Sequence, residues 1–274
     1  MITILGATGF VGSALSRRLQ NLGEIVVNLS RPDFELTRPD TFRTIPSETD
    51  ILIHAAGHVG SAAKDEILWQ TNVESTYYLV QYLNADCRPR LVVYLSSGAV
   101  YGFQPQTIDG ATPLRPDSLY GLSKLLAERI LETMLDAKVV TLRLFFPFGP
   151  GQKTTRLIPS LTQRIMQGQP VELNTPLGLP MINPIYINDL VVQIIHILHE
   201  PSRACYNLGG ERAYSIKQIA EAIARTLNTT PRFLTVEREV GNMMCKPDLP
   251  GADPEAFGEQ IAWTVNSFFA DSGA

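Results

Sequence analysis

The stretch "MITILGATGFVG", Met1 to Gly12, decides how the rest of the chain is read. Ile2 to Leu5 is a short apolar run, the signature of a buried strand. Gly6, Gly9 and Gly12 follow it directly and lead into "FVGSALSRRLQNLG", where Val11, Leu15, Leu19 and Leu22 recur at helical spacing. Glycines between a strand and a helix serve a tight turn, the close approach of backbone to a pyrophosphate, and helix–strand packing. The free N–H groups at the start of the helix then face the phosphates. The alternative is a purely structural glycine-rich turn, but the strand before and the helix after favour a dinucleotide site. Its residues are Gly6, Thr8, Gly9, Phe10, Val11 and Gly12.

Outward from this stretch the same rhythm continues. "EIVVNL", "DILIHAA", "RLVVYLSS" and "KVVTLRLF" are Val/Ile/Leu-rich strand candidates. Helical periodicity covers Ile67 to Leu83 and Ser118 to Leu135 between them. Near-continuous apolar strands separated by helices predict a doubly wound parallel sheet covered on both faces. After about Phe146 glycine and proline become frequent ("PFGPGQ", "GQPVELNTPLGLPMINP") and short elements mix. The expected organisation is a dinucleotide-binding domain over residues 1–150, with contributions from about 183–205, and a small α/β substrate region over most of 151–274.

Composition narrows the function classes. The 274 residues carry 23 Lys+Arg against 27 Asp+Glu, a net charge of −4 without a basic run, which disfavours phosphate-backbone binding to nucleic acid. Cys87, Cys205 and Cys245 form no metal-ligand or paired pattern, so no metal site is predicted. The longest apolar helix candidate, "LVVQIIHILHE", is too short for a bilayer, and no charged, cleavable leader precedes the first strand. A cytoplasmic protein is expected.

At the end of the second strand, where a carboxylate would read a ribose 2′-hydroxyl, the chain has Ser30 followed by Arg31. A guanidinium in place of a carboxylate suits a 2′-phosphate and favours NADP over NAD, against the reading of Arg31 as a solvated loop charge. Either Glu35 or Asp33 could lie near the adenine. Further on, "LYGLSKLL" sets Tyr120 four residues before Lys124. With a dinucleotide site upstream, this pair gains a chemical meaning. Hydride exchange at a carbonyl carbon needs a proton donor or acceptor at its oxygen. A tyrosine serves near neutral pH when positive charge lies close, and a lysine one turn on supplies it. Ser96 and Ser97, at the carboxyl end of a strand, offer a hydroxyl to hold the substrate oxygen.

The motifs "GATGFVG", "HAAG", "TNVESTYYLV", "LSSGAVYG", "YGLSK" and "LRLFFPFGPGQ" occur in an order and spacing that resembles the extended short-chain dehydrogenase/reductases. Within these the chain is similar to the NAD-dependent epimerase/dehydratase group, from Met1 to roughly Val236. The resemblance implies a Rossmann-type fold with Tyr120 as acid/base and Lys124 as the residue that assists it and binds the nicotinamide ribose. It implies Ser97 as the hydroxyl holding the substrate, Ser96 as its neighbour, and Asn72 as a support of the site. Ala55, Ala56 and Gly57 would line the cofactor and Pro147 would lie by the nicotinamide. Asp189 would cap a helix, and His54 would be structural. Tyr101 is left between core packing and substrate contact. Family members pair through the helix around Trp69, Tyr77 and Tyr78, which implies a homodimer.

Three departures from the family pattern shape the substrate expectation. Gly98 and Ala99 stand where dehydratases carry an acid pair, which argues against sugar dehydration. Phe146 replaces an asparagine, and Ile182 and Asn183 replace an arginine–aspartate pair that clamps a diphosphate, with Lys153, Arg156 and Arg164 as the compensating candidates. The segment before "FGEQIAWTVNSFF" is short, which predicts a cleft that is more open or adapted to another ligand. The resulting reading is an NAD(P)-dependent ketoreductase acting on a secondary alcohol or ketone of a sugar-like substrate, free or nucleotide-linked. An epimerase working by transient oxidation is the alternative, and a non-catalytic nucleotide-binding member ranks below both.

Overall fold

The apolar runs of the first half become parallel strands because β-branched residues facing both ways bury best between helices. A computed structural model describes residues 1–59, 65–238, 240–251 and 253–270. It divides into two compact units. One comprises Met1–Gly102, Thr112–Leu144 and Val191–Tyr206, the other Phe103–Ala111, Phe145–Leu190 and Asn207–Ala274.

The first unit is built on β1 (Ile2–Leu5), β2 (Val26–Leu29), β3 (Ile51–His54), β4 (Leu91–Ser97) and β5 (Lys138–Leu144). With Cys205–Leu208 they form a six-stranded sheet in which β1 lies between β2 and β3, followed by β4, β5 and the Cys205–Leu208 strand. Ile2 pairs with Val26 on one side and Ile51 on the other, so the strand order reverses at β1. In open α/β sheets the crevice beyond the carboxyl ends of the strands at such a reversal is the ligand site.

Helix α1 (Phe10–Asn21) follows β1, burying Gly12, Leu15, Ser16 and Leu19. Leu22, assigned to that face by spacing, is instead 51% exposed, because the helix has ended at Asn21. The crossover from β3 to β4 contains α2 (Asp65–Leu68) and α3 (Ser75–Tyr82), joined by a π-helical turn, Trp69–Glu74. A second π-helical turn, Leu83–Cys87, ends on Arg88 in the left-handed region at φ 51°. Helix α4 (Leu119–Met134) begins at Ser118, whose hydroxyl accepts from Gly121 N at 3.2 Å and satisfies one of the free donors of the first turn. Leu5, Leu52, Val92, Leu79, Leu83, Ala127 and Leu131 pack into one core with Phe34 and Phe42, and this core holds α3 and α4 to the sheet.

The second unit collects small pieces. Two-residue strands pair Pro147 with Ile185, and Ser215 with Met181. A parallel pair joins Val171–Leu173 to Phe233–Thr235. The Ile216–Thr226 helix opens on a capping box, with Ser215 and Gln218 each satisfying the other's backbone N–H. A cavity of about 490 Å³ in this unit is walled by Phe103, Phe146, Leu161 and Ile182, with Arg164 and Glu172 among its polar residues.

Candidate active site

Two glycines of the first turn, Gly6 and Gly12, leave no room for a side chain. Gly6 has φ +83°, and a β-carbon on it would stand 2.7 Å from the backbone of Ala56. A β-carbon on Gly12 would lie 2.3 Å from the Gly6 carbonyl oxygen. The turn is closed by Gly9 N–H donating to Gly6 O at 2.9 Å, and by Gly6 and Ala7 N–H both donating to Leu29 O. Helix α1 then starts at Gly9 with no side-chain cap and no acidic residue in its first turn. That leaves its N–H groups for an anion. Exposed Thr8 and half-buried Phe10 and Val11 complete the turn, with Ala55, Ala56 and Gly57 beside it after β3. A larger residue at Gly6 or Gly12 would fill this cradle, and as it stands the turn fits the pyrophosphate of a dinucleotide.

Asn72 sits on the π-helical turn and is 3% exposed. Its side chain accepts from His58 N at 2.7 Å and donates to His58 O at 2.9 Å and to Ser123 Oγ at 3.0 Å. Ser123 in turn donates to the Tyr120 carbonyl at 2.8 Å. The asparagine therefore ties the loop after β3 to the first turn of α4. Tyr120 is half-buried on that turn. Lys124 is 5% exposed, its Nζ donating to Tyr94 Oη at 3.1 Å and to Leu95 O at 2.8 Å. Burial pulls the Lys124 ammonium down to about 8, with the Glu128 carboxylate opposing that fall.

Ser97, the last residue of β4, caps a short 3₁₀ turn, its Oγ accepting from Ala99 N at 3.2 Å. The hydroxyl hydrogen stays available as a donor. Ser96 points the other way and donates to Glu128 Oε1. Glu128 also receives two bonds from Arg143, whose Nη1 donates to Tyr101 Oη at 2.7 Å. Tyr101 is 1% exposed, so its place is in the core. His54, 1% exposed on β3, lies with its ring 5.1 Å from that of Tyr94. Burial, with the Lys124 charge adding to it, pulls the His54 imidazole down to about 3, so it stays neutral.

The first unit thus gathers Gly6, Gly9, Gly12, Ala55, Ala56, Gly57, Asn72, Ser96, Ser97, Tyr120 and Lys124 around the carboxyl ends of β1, β3 and β4. Ser30 is half-buried and Arg31 exposed immediately after β2. Pro147 belongs to the second unit, where its carbonyl accepts from Gln152 Nε2 at 2.6 Å. Asp189 is not the cap of its helix but lies inside the first turn, accepting from Gln260 at 2.8 Å. Asn183 is buried and braces Gly210 O and Cys245 N. Sequence reasoning missed Tyr94, Ser123, Glu128 and Arg143. A signal existed for two of them: Glu128 follows Lys124 at one-turn spacing, and Arg143 is a charge inside the apolar run "VVTLRL".

Among the described residues, no group of acidic, histidine or cysteine side chains could hold a metal ion.

The profile of the NAD dependent epimerase/dehydratase family matches residues 2–209. UDP-glucose 4-epimerase of Dictyostelium discoideum is 25% identical, covering 96% of this chain and 90% of that protein. GDP-6-deoxy-D-mannose reductase of Pseudomonas aeruginosa is 28% identical over 81% of this chain and 78% of its own length. The solved structure of Thermus thermophilus UDP-glucose 4-epimerase in complex with NAD shares the fold, with a TM-score of 0.84 at 20% identity, covering 100% of this chain and 99% of that one.

Proposed function

The chain belongs to the NAD dependent epimerase/dehydratase family, and on that footing we propose that it is a ketoreductase in which Tyr120 exchanges a proton with the substrate oxygen. It is an enzyme of hydride transfer, using a nicotinamide dinucleotide on a secondary alcohol or ketone of a sugar-like substrate. The dinucleotide, when bound, supplies or accepts the hydride. The chain's own part is binding, orientation and proton movement. Gly6, Gly9 and Gly12 admit the phosphates. Lys124 holds a positive charge one helical turn from Tyr120, as a proton transfer by a phenol requires. Ser97 donates its hydroxyl hydrogen to the substrate oxygen, and Asn72 keeps the Gly57–His58 loop and α4 in register.

The observation that carries this reading is the buried Lys124 ammonium, desolvated on the same face as Tyr120 and beside Gly57. Burying a lysine without an ion-pair partner costs on the order of several kcal/mol, which two hydrogen bonds to neutral oxygens offset only in part, and a functional role accounts for that cost. The test is oxidation of NADPH or NADH with nucleotide-linked 4-keto sugars, comparing the wild type with Tyr120→Phe. Loss of turnover with cofactor binding retained supports the assignment, and full turnover in the variant rejects it.

A second reading, epimerisation by transient oxidation, draws on the similarity to UDP-glucose 4-epimerase. It predicts turnover of UDP-glucose without net cofactor consumption. Arg31 and the missing carboxylate at Ser30 favour NADP, although the solved relative holds NAD. A nucleotide-linked sugar is the substrate class we infer from the relatives. Exposed Trp69, Tyr77, Tyr78 and Leu122 on the crossover helices and α4 suit pairing with a second copy, and we propose a homodimer. Among the described residues no helix is long and apolar enough to cross a membrane. Cys87, Cys205 and Cys245 are not joined in disulfides among the described residues, as suits a reducing compartment, and the cytoplasm is the location we propose.

A further inference from the structure

The Lys124 ammonium has three hydrogens to place. One goes to Tyr94 Oη at 3.1 Å and one to the Leu95 carbonyl at 2.8 Å, with Nζ 4.6 Å from the centre of the Tyr94 ring. Gly57 lies alongside, where a β-carbon would stand 3.5 Å from Nζ and 3.2 Å from Asn72 Oδ1. We propose that Tyr94 is a positioning residue for this enzyme: its hydroxyl, with the Leu95 carbonyl, fixes the Lys124 ammonium for the dinucleotide and for Tyr120. The proposal rests on the reading of Lys124 and Tyr120 given above.

The groups that face this ammonium among the described residues come from several elements. From β3 comes His54, held neutral by its burial. From α4 itself come Tyr120 and Glu128, and the Glu128 carboxylate is already engaged by Ser96 and Arg143. From the π-helical turn comes Asn72, a neutral amide committed to His58 and Ser123. From β4 comes Tyr94, 1% exposed, its hydroxyl pushed well above 10.0 by burial and by the neighbouring Tyr120 and Glu128. Tyr94 thus stays a neutral acceptor and takes no part as acid or base. The ammonium is not among the ion pairs of the described residues. Two oxygen acceptors are therefore its main compensation for leaving water, and Tyr94 provides one of them. Phenylalanine at the same place would keep the ring and its packing against His54 while removing only that oxygen.

The experiment measures NADH and NADPH affinity by fluorescence titration of the full chain from about pH 6 to pH 10, the range that brackets the Lys124 titration. Wild-type affinity is expected to fall as pH rises through about 8, as Lys124 loses its proton. In Tyr94→Phe the midpoint is expected about one pH unit lower, the weight of one hydrogen bond to a charge, with affinity at pH 8 reduced about fivefold. In Lys124→Met the pH dependence is expected to disappear. An unshifted midpoint in Tyr94→Phe beside a flat Lys124→Met profile overturns the role of Tyr94 alone. A Lys124→Met variant that keeps wild-type affinity and profile overturns the reading of Lys124, and the proposal with it. Lysine Nζ resonances in protein carrying nitrogen-labelled lysine report the same midpoint without cofactor. The comparison therefore survives a variant that binds weakly.

Discussion

Glu128 and Arg143 form a two-pronged ion pair, Oε1 to Nε at 3.1 Å and Oε2 to Nη2 at 2.8 Å, with side chains only 5% and 12% exposed. The pair joins the helix that carries Tyr120 and Lys124 to β5, and through Ser96 to the strand that ends in Ser97. Removing one partner leaves the other charge buried and uncompensated. Glu128→Gln is expected to lower unfolding free energy by about 3 kcal/mol, and Arg143→Met by a similar amount. Urea denaturation measures both, and losses below about 1 kcal/mol, the range of exposed pairs, would contradict the burial argument.

Tyr120→Phe removes the proposed proton donor and leaves the ring. Turnover is expected to fall by about 10²–10⁴, the usual weight of a positioned acid or base. Dinucleotide affinity should change by less than about threefold, since the phosphate-binding turn is untouched. Parallel kinetics and binding titrations separate the two.

Gly12→Ala places a methyl group 2.3 Å from the Gly6 carbonyl oxygen. Since that oxygen is backbone, either the turn or α1 must move. Loss of dinucleotide binding is expected together with a lower melting temperature. Unchanged NADH affinity in a well-folded Gly12→Ala protein would remove the glycine cradle from the site.

His54 makes stability sensitive to acid. Its folded-state value is depressed to about 3 from 6.5, so the unfolded chain takes up a proton that the folded one refuses. The corresponding stability is present above 6.5 and is lost as pH falls from there towards 3, a contribution of about 5 kcal/mol at most. His54→Leu should flatten the fall in unfolding free energy across that window, as followed by urea melts at successive pH values.

Arg31→Ala should reduce any preference for NADPH over NADH by about tenfold, because the forked phosphate contact is lost while the shared half of the dinucleotide binds as before. Equal losses for the two cofactors would assign Arg31 to general electrostatics.

Much of this was legible because period and punctuation are local properties. The strand–glycine–helix opening and the alternation after it specify a sheet with its ligand edge, and "YGLSK" places Tyr120 and Lys124 on one helical face. What escaped depends on register across the sheet. Tyr94 meets Lys124 only because β4 pairs His54 with Tyr94 and directs that side chain towards α4. In the sequence it is one more aromatic in an apolar strand. Arg143 was visible as a misplaced charge, but its partner lies 15 residues earlier on another element. The π-helical turns at Trp69–Glu74 and Leu83–Cys87 left no signal in the residue pattern.

The turn at Trp69–Glu74 makes the site sensitive to chain length as well as to chemistry. A π-helical turn holds one residue more than the α-helical spacing needs. Deleting a single residue between Leu68 and Asn72 would let α2 and α3 run on as one regular helix. The helix itself would lose no backbone bond by the change. Asn72, however, would turn by about 100° around the axis relative to the residues before it. Its grip on His58 and its bond to Ser123 could not both survive that rotation. An indel that no point-substitution survey would sample could therefore silence this enzyme while leaving its helix better formed.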